Sequence, residues 1–149
     1  MKFDISQMLC AEVYDHSVRQ LQLIETHISW VVLTGDFAYK IKKPVNFGFL
    51  DFTSRNKRHV ACLQELALNR RTAPELYIDV VSIRHHQGKL QVSDRGILLE
   101  SAVKMVQFPQ SAQLDNRLRA GRLTTHEVEA IAEMVANFHQ VIESAGPYD

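Results

Sequence analysis

Residues 17–44, "SVRQLQLIETHISWVVLTGDFAYKIKKP", constrain the fold more than any other stretch of the chain. The run alternates in polarity, is rich in β-branched and aromatic side chains, and is interrupted at "ETH" and "TGD". This is the pattern of successive half-buried strands joined by short turns. Division at the breaks predicts three antiparallel strands, over 18–24, 28–34 and 37–43. Pro44 closes the third, because it has no N–H to give to a ladder. Side chains alternate along a strand, so Ala38, Lys40 and Lys42 share one face of the third strand while Phe37, Tyr39 and Ile41 share the other. The aromatic face is the core face.

The remaining segments complete an α+β domain. Residues 5–12, "ISQMLCAE", fit a short helix with Ile5, Met8 and Leu9 on one side. After a loop containing Gly48, residues 54–72, "SRNKRHVACLQELALNRRT", place Val60, Leu63, Ala67 and either Leu66 or Leu68 near helical spacing. Ser54 stands as N-cap, Arg70 and Arg71 suit the C-terminal end, and the helix ends before Pro74. The segment "LYIDVVSIRHHQGKLQVSDRGILLESAVKMVQF" reads as strands near 77–84, 89–93 and 98–106, with turns at "HQGK" and "SDRG". From Ser111 the pattern becomes helical. "THEVEAIAEMVANFHQVIESAG" presents Val128, Ile131, Ala132, Val135 and Phe138 as a buried stripe, with Thr124 or Thr125 as cap and Glu127 or Glu129 completing a capping box.

Composition narrows the function classes. The 149 residues suffice for one domain, or part of one, and the 17 basic side chains are matched by 17 acidic ones. That balance supplies no global field for nucleic acid or an anionic membrane, so neither partner is expected. Cys10 and Cys62 lack metal-ligand spacing and read as small buried hydrophobes of a reducing compartment. The N-terminus lacks the apolar core of a signal peptide, and no apolar run approaches the ~18 residues of a membrane span, so a cytoplasmic location is expected. His85 and His86 read as a solvated hairpin tip, and His139 as a packing histidine.

Two features bear on phosphate chemistry. A strand lysine with a small residue two places earlier, followed by a helix bearing an inward glutamate, is the arrangement that protein-kinase-like enzymes use to hold nucleotide phosphates. Here Lys40, Ala38 and Glu65 supply those parts. The carboxylate matters because an ammonium on a flexible stem needs a fixed partner to point reliably. The same alternation is also met by lysines solvated on an exposed sheet face. Lys42 and Lys43 read as solvated charges at the strand end. The connection "ETHIS" sets Thr26, His27 and Ser29 where a phosphate-covering loop would lie, and equally fits an ordinary hairpin turn with a capping threonine.

The blocks "ETHISWVVLTGDFAYKIKKPVNFGFLDF", "ELALNRRTAPELYIDVVSI" and "AVKMVQFPQ" together resemble the N-terminal part of bacterial aminoglycoside phosphotransferase-like proteins, often fused to a C-terminal P-loop ATP-binding kinase domain. The resemblance runs over residues 21–139. It implies a protein-kinase-like N-lobe, an antiparallel sheet of about five strands plus one helix, over residues 1–106, then a hinge and the first helices of a helical lobe over 107–149. It further implies that Lys40 is the phosphate-binding lysine and Glu65 its helix partner. Thr26, His27 and Ser29 would belong to the loop over the phosphates, and Met105, Gln107 and Phe108 to the hinge against which adenine hydrogen-bonds.

The implied cofactors are ATP and Mg, the implied acceptor an unidentified small molecule, and the implied partner the C-terminal remainder of the same protein. Neither an "HGD"-type catalytic loop nor GxxxxGK[ST] occurs in the sequence, so the catalytic aspartate and the Mg ligands are expected outside this chain, which alone should be inactive. A non-catalytic, kinase-like regulatory or interaction module is the alternative.

Overall fold

The computed structural model describes residues 3–142. The chain divides into two compact units, Met1–Gln107 and Phe108–Asp149. The first holds six strands, β1 (Gln22–Glu25), β2 (Ser29–Leu33), β3 (Phe37–Lys42), β4 (Tyr77–His86), β5 (Lys89–Val92) and β6 (Ile97–Val106), with helix α1 (Arg55–Asn69) inserted between β3 and β4. All pairings are antiparallel, in the order β1-β2-β3-β6-β4-β5. The fold is thus α+β, with the six strands read from the residue pattern where the resemblance implied about five.

The alternation of β3 builds a two-faced layer. Tyr39 and Ile41 are wholly buried with Val32, Ile83 and Ala102 on one side, beneath Met8, Val13 and Tyr14 from the N-terminal segment. Burial of each large apolar side chain contributes roughly 2 kcal/mol. The N-terminal segment is two 3₁₀ turns, Ile5–Met8 and Ala11–Val13, rather than the helix predicted over 5–12. Asp4 caps the first turn through the Ser6 N–H, and the Tyr14 hydroxyl donates to the Met8 carbonyl at 2.7 Å. Tyr39 meets His16, whose Nε2 lies 3.0 Å from its hydroxyl.

β1 is shorter than predicted because the N–H groups of Arg19 and Gln20 both turn to the Thr34 carbonyl instead of pairing along the strand. The β4–β5 turn lies at Gln87 and Gly88, both with positive φ (49° and 82°). That is the two-residue turn whose twist matches the flanking strands.

α1 packs over β6 and β4 on the opposite side of the sheet. Ser54 accepts from the Lys57 N–H as its cap, and Arg70 donates to the Tyr77 carbonyl at 3.0 Å and to that of Ile78. Of the apolar stripe expected, only Leu66, one of the two alternatives left open, is buried. Arg58, Cys62 and Leu66 are buried, while Val60, Leu63 and Leu68 are 41%, 46% and 58% exposed and Ala67 is also exposed.

The second unit contains a 3₁₀ turn, Gln110–Ala112, followed by α2 (Leu114–Arg119) and α3 (Thr125–Val141). Thr124 and Glu127 form the capping box, each side chain meeting the other residue's N–H. Arg117 holds the same glutamate at 2.5 Å. The stripe expected on α3 is not covered: Val128 and Val135 are exposed, and no described residue of the helix is buried. Among the described residues, no helix is long and apolar enough to cross a membrane.

Candidate functional site

β3 is the third of six strands, paired on both sides. Its neighbour β2 sets Val31 opposite Lys40 and Ser29 opposite Lys42, while β6 sets Val103 opposite Lys40 and Met105 opposite Ala38. Directly opposed residues share a face. Lys40 and Lys42 therefore rise from the middle of the sheet on its α1 side, not from a solvated edge. One helical turn past Cys62, Glu65 descends from α1 between them.

Lys40 Nζ donates to Glu65 Oε1 at 2.8 Å, and Lys42 Nζ donates to Glu65 Oε2. The lysines thus occupy opposite oxygens of one carboxylate. Their surroundings differ. The Lys40 side chain retains 29% of its exposure, whereas that of Lys42 retains 6% and that of Glu65 11%. The Lys42 ammonium also lies 5.6 Å from the centroid of the Phe52 ring, a cation–π contact. Burial pushes the Glu65 carboxyl up, and hydrogen bonds from Lys40 and Lys42 outweigh it, leaving the group below its ordinary value. Asn69 Nδ2 donates to the Glu65 carbonyl at 2.8 Å and ties down the backbone beneath it.

Beside this cluster lies a second polar anchor. Arg58 reaches the buried Glu100 carboxylate through Nε at 2.9 Å and Nη2 at 2.6 Å, and its Nη1 donates to the Phe52 and Thr53 carbonyls. The adjacent His59 meets the Ser101 hydroxyl at 3.0 Å. Neither Arg58 nor Glu100 was singled out from sequence. The available signal was spacing: Arg58, Cys62 and Glu65 recur at helical intervals on one side of α1. Cys62 fills the space between, its thiol pushed up by burial to about 11. Cys10, expected to be buried, is exposed.

Of the remaining sequence candidates, only Ser29 adjoins this cluster. Thr26 closes the β1–β2 turn on itself: its Oγ1 accepts from the Ser29 N–H at 3.0 Å and donates to the Ser29 carbonyl at 3.1 Å. Ser29 is wholly buried, on the face of Lys42 rather than on the loop surface, and its hydroxyl has no hydrogen-bond partner. Thr26 and His27 line a concavity of about 530 Å³ with Glu25 and Lys43. Lys43 pairs with Glu25 at 2.5 Å and lies over the Trp30 ring.

At the end of β6, Met105 is half-buried. The Gln107 N–H is committed to the Asp36 carbonyl at 2.9 Å, and its side-chain Oε1 accepts from the Gly35 N–H at 2.8 Å. Gln107 thereby fastens the β2–β3 turn to the end of β6. Phe108 opens the second unit and is 45% exposed. Lys40, Lys42 and Glu65 are brought together; Thr26, His27 and Lys43 form a separate group on the turn.

The chain is similar to the uncharacterized protein Rv2004c of Mycobacterium tuberculosis and the uncharacterized protein Mb2027c of Mycobacterium bovis. Each is 35% identical over 116 residues, which are 78% of this chain. The aligned part spans 22% of the length of each relative. No family model matches the chain, and no solved structure matches it.

Proposed function

We propose that the chain is the phosphate-binding lobe of an aminoglycoside phosphotransferase-like small-molecule kinase, with a protein-kinase-like N-lobe fold. The observation that carries the reading is the 2.8 Å ion pair between Lys40 on a central strand and Glu65 on the helix that follows it. An ammonium pinned by a buried carboxylate, with part of its surface still open, suits the oxygens of a nucleotide di- or triphosphate. Lys40 would bind and orient the phosphates, and Glu65 would fix the direction of Lys40.

ATP fits this donor set. Mg²⁺, when bound, would neutralise charge on the phosphates, but the described residues hold no group of three His, Cys, Asp or Glu side chains able to ligate it. The proposal places its ligands, the catalytic base and the acceptor site in other parts of a longer protein. Phosphoryl transfer belongs to that protein and ATP-phosphate binding to this chain.

One observation favours the alternative of a non-catalytic interaction module. Glu65 already has a cation on each oxygen without any ligand, as a purely structural ion cluster would. Calorimetric titration of the chain with ATP and magnesium separates the two. The kinase-like reading expects binding that Lys40→Ala weakens by about tenfold or more, with the far-UV spectrum unchanged. Equal titration curves for the wild type and Lys40→Ala would overturn it in favour of the module.

A further inference from the structure

Lys42 is a buried cation in a place where a phosphate-gripping lysine already has its carboxylate. Its side chain is 6% exposed, less than the 29% of Lys40, and it takes the Glu65 oxygen that Lys40 leaves free. Around it stand the Phe52 ring, the neutral buried Cys62 and, across the strand pair, Ser29. The other buried charges nearby, Arg58 and Glu100, are paired with each other. The cluster of Lys40, Lys42 and Glu65 therefore holds two positive charges against one negative.

With a single lysine, a lysine–carboxylate pair is neutral, and the carboxylate that aims the ammonium also cancels the charge an anion would feel. A second lysine removes that conflict. We infer that Lys42 is a positioning residue for the phosphate site: buried against Phe52, it balances and holds Glu65, so that Lys40 is aimed by the carboxylate yet presents a full positive charge to a phosphate group. The difference in exposure divides the tasks, since the hidden ammonium cannot reach a ligand and the partly open one can. Lys42 acts through Glu65 and Lys40 and touches no phosphate itself. This inference rests on the phosphate-site reading above and adds to it the origin of the site's charge.

The test is calorimetric titration of the 149-residue chain with inorganic tripolyphosphate, without metal, for the wild type, Lys40→Met, Lys42→Met, Lys42→Arg and the double variant Lys42→Met/Glu65→Gln. Charge balance predicts that Lys42→Met weakens binding by about tenfold, as the cluster falls from one net positive charge to none. Lys42→Arg keeps the charge and stays within about threefold of wild type. The double variant restores the net charge and binds more tightly than Lys42→Met, while remaining weaker than wild type because the carboxylate that aims Lys40 is gone.

A residue needed only for packing would show the opposite in that last arm, because losing Glu65 as well cannot repair a packing defect. Binding by Lys42→Met equal to wild type, or by the double variant as weak as Lys42→Met, overturns the inference. Should Lys42→Met fail to fold, Lys42→Gln, which is equally uncharged and keeps a polar partner for Glu65, takes its place in both comparisons. Loss in Lys40→Met with none in Lys42→Met overturns the role of Lys42 and leaves the phosphate site standing. Equal behaviour of wild type and Lys40→Met overturns the phosphate-site reading itself.

Discussion

Glu65 accepts from Lys40 on one oxygen and from Lys42 on the other, and the two lysines depend on it unequally. Lys40 can hydrate when the carboxylate is lost; Lys42, 5% exposed, cannot. Glu65→Gln should therefore lower the unfolding free energy by about 3 kcal/mol, the scale of leaving one buried charge unpartnered, as read from urea midpoints at neutral pH. The pH dependence follows from the same pairing. The folded carboxyl lies below its ordinary value of 4.5, so its stabilisation is complete above that value and is lost as pH falls through the folded value. The wild type should lose stability on acidification below 4.5 more steeply than Glu65→Gln, which has no carboxyl to titrate there. Alternation along β3 put Lys40 and Lys42 on one face, but it carries no measure of depth. Reading Lys42 as a solvated strand-end charge missed that α1 lies across it.

At the scale of the element, α1 shows how a helix can be placed correctly and rotated wrongly. Its bounds and Ser54 cap were legible because capping is local. Its inward face was legible in part, at Cys62, Glu65 and Leu66, while Val60 and Leu63 of the expected stripe are exposed and Arg58 is buried instead. The reason is on β6 and β3: buried Glu100 and Lys42 demand partners, and an unpaired buried charge costs more than exposing a few aliphatic side chains. Arg58→Met should destabilise the first unit by about 3 kcal/mol, because Glu100 then remains buried without its cation. Val60→Ala on the outer side should change stability by less than about 0.5 kcal/mol. Equal effects in thermal unfolding would return the helix to its apolar-stripe orientation. A capping box on α3 was likewise legible, with the structure choosing Thr124 and Glu127 over Thr125 and Glu129, whereas burial of its stripe depends on what lies beside it.

At the scale of the whole molecule, the two units differ in how their backbones are protected. β3 and β6 are each paired on both sides and backed by the aromatic core, while α3 has no buried residue in the described chain. Native-state hydrogen exchange should find its slowest amides on β3 and β6 and much faster exchange along α3, a gap set by local opening free energies. Comparable protection in β6 and α3 would contradict this division. The sheet order also explains the separation of the candidate groups. The β1–β2 turn with Thr26 and His27 hangs from one edge of the sheet, and the lysine pair sits on an interior strand beneath α1.

The sequence by itself determined the order of the strands and of the helices that follow them, the two faces of β3, the Ser54 cap, a threonine-capped start to α3 and the turn at Gln87 and Gly88. Each of these is fixed within a few residues by side-chain alternation, hydrogen bonding to a nearby N–H, or permitted φ. Only the tertiary structure decided the order β1-β2-β3-β6-β4-β5, the rotation of α1, and the burial of Lys42 against Glu65 and Phe52. These depend on which charges are removed from water when separate elements meet, and that cost is set by neighbours distant in the chain.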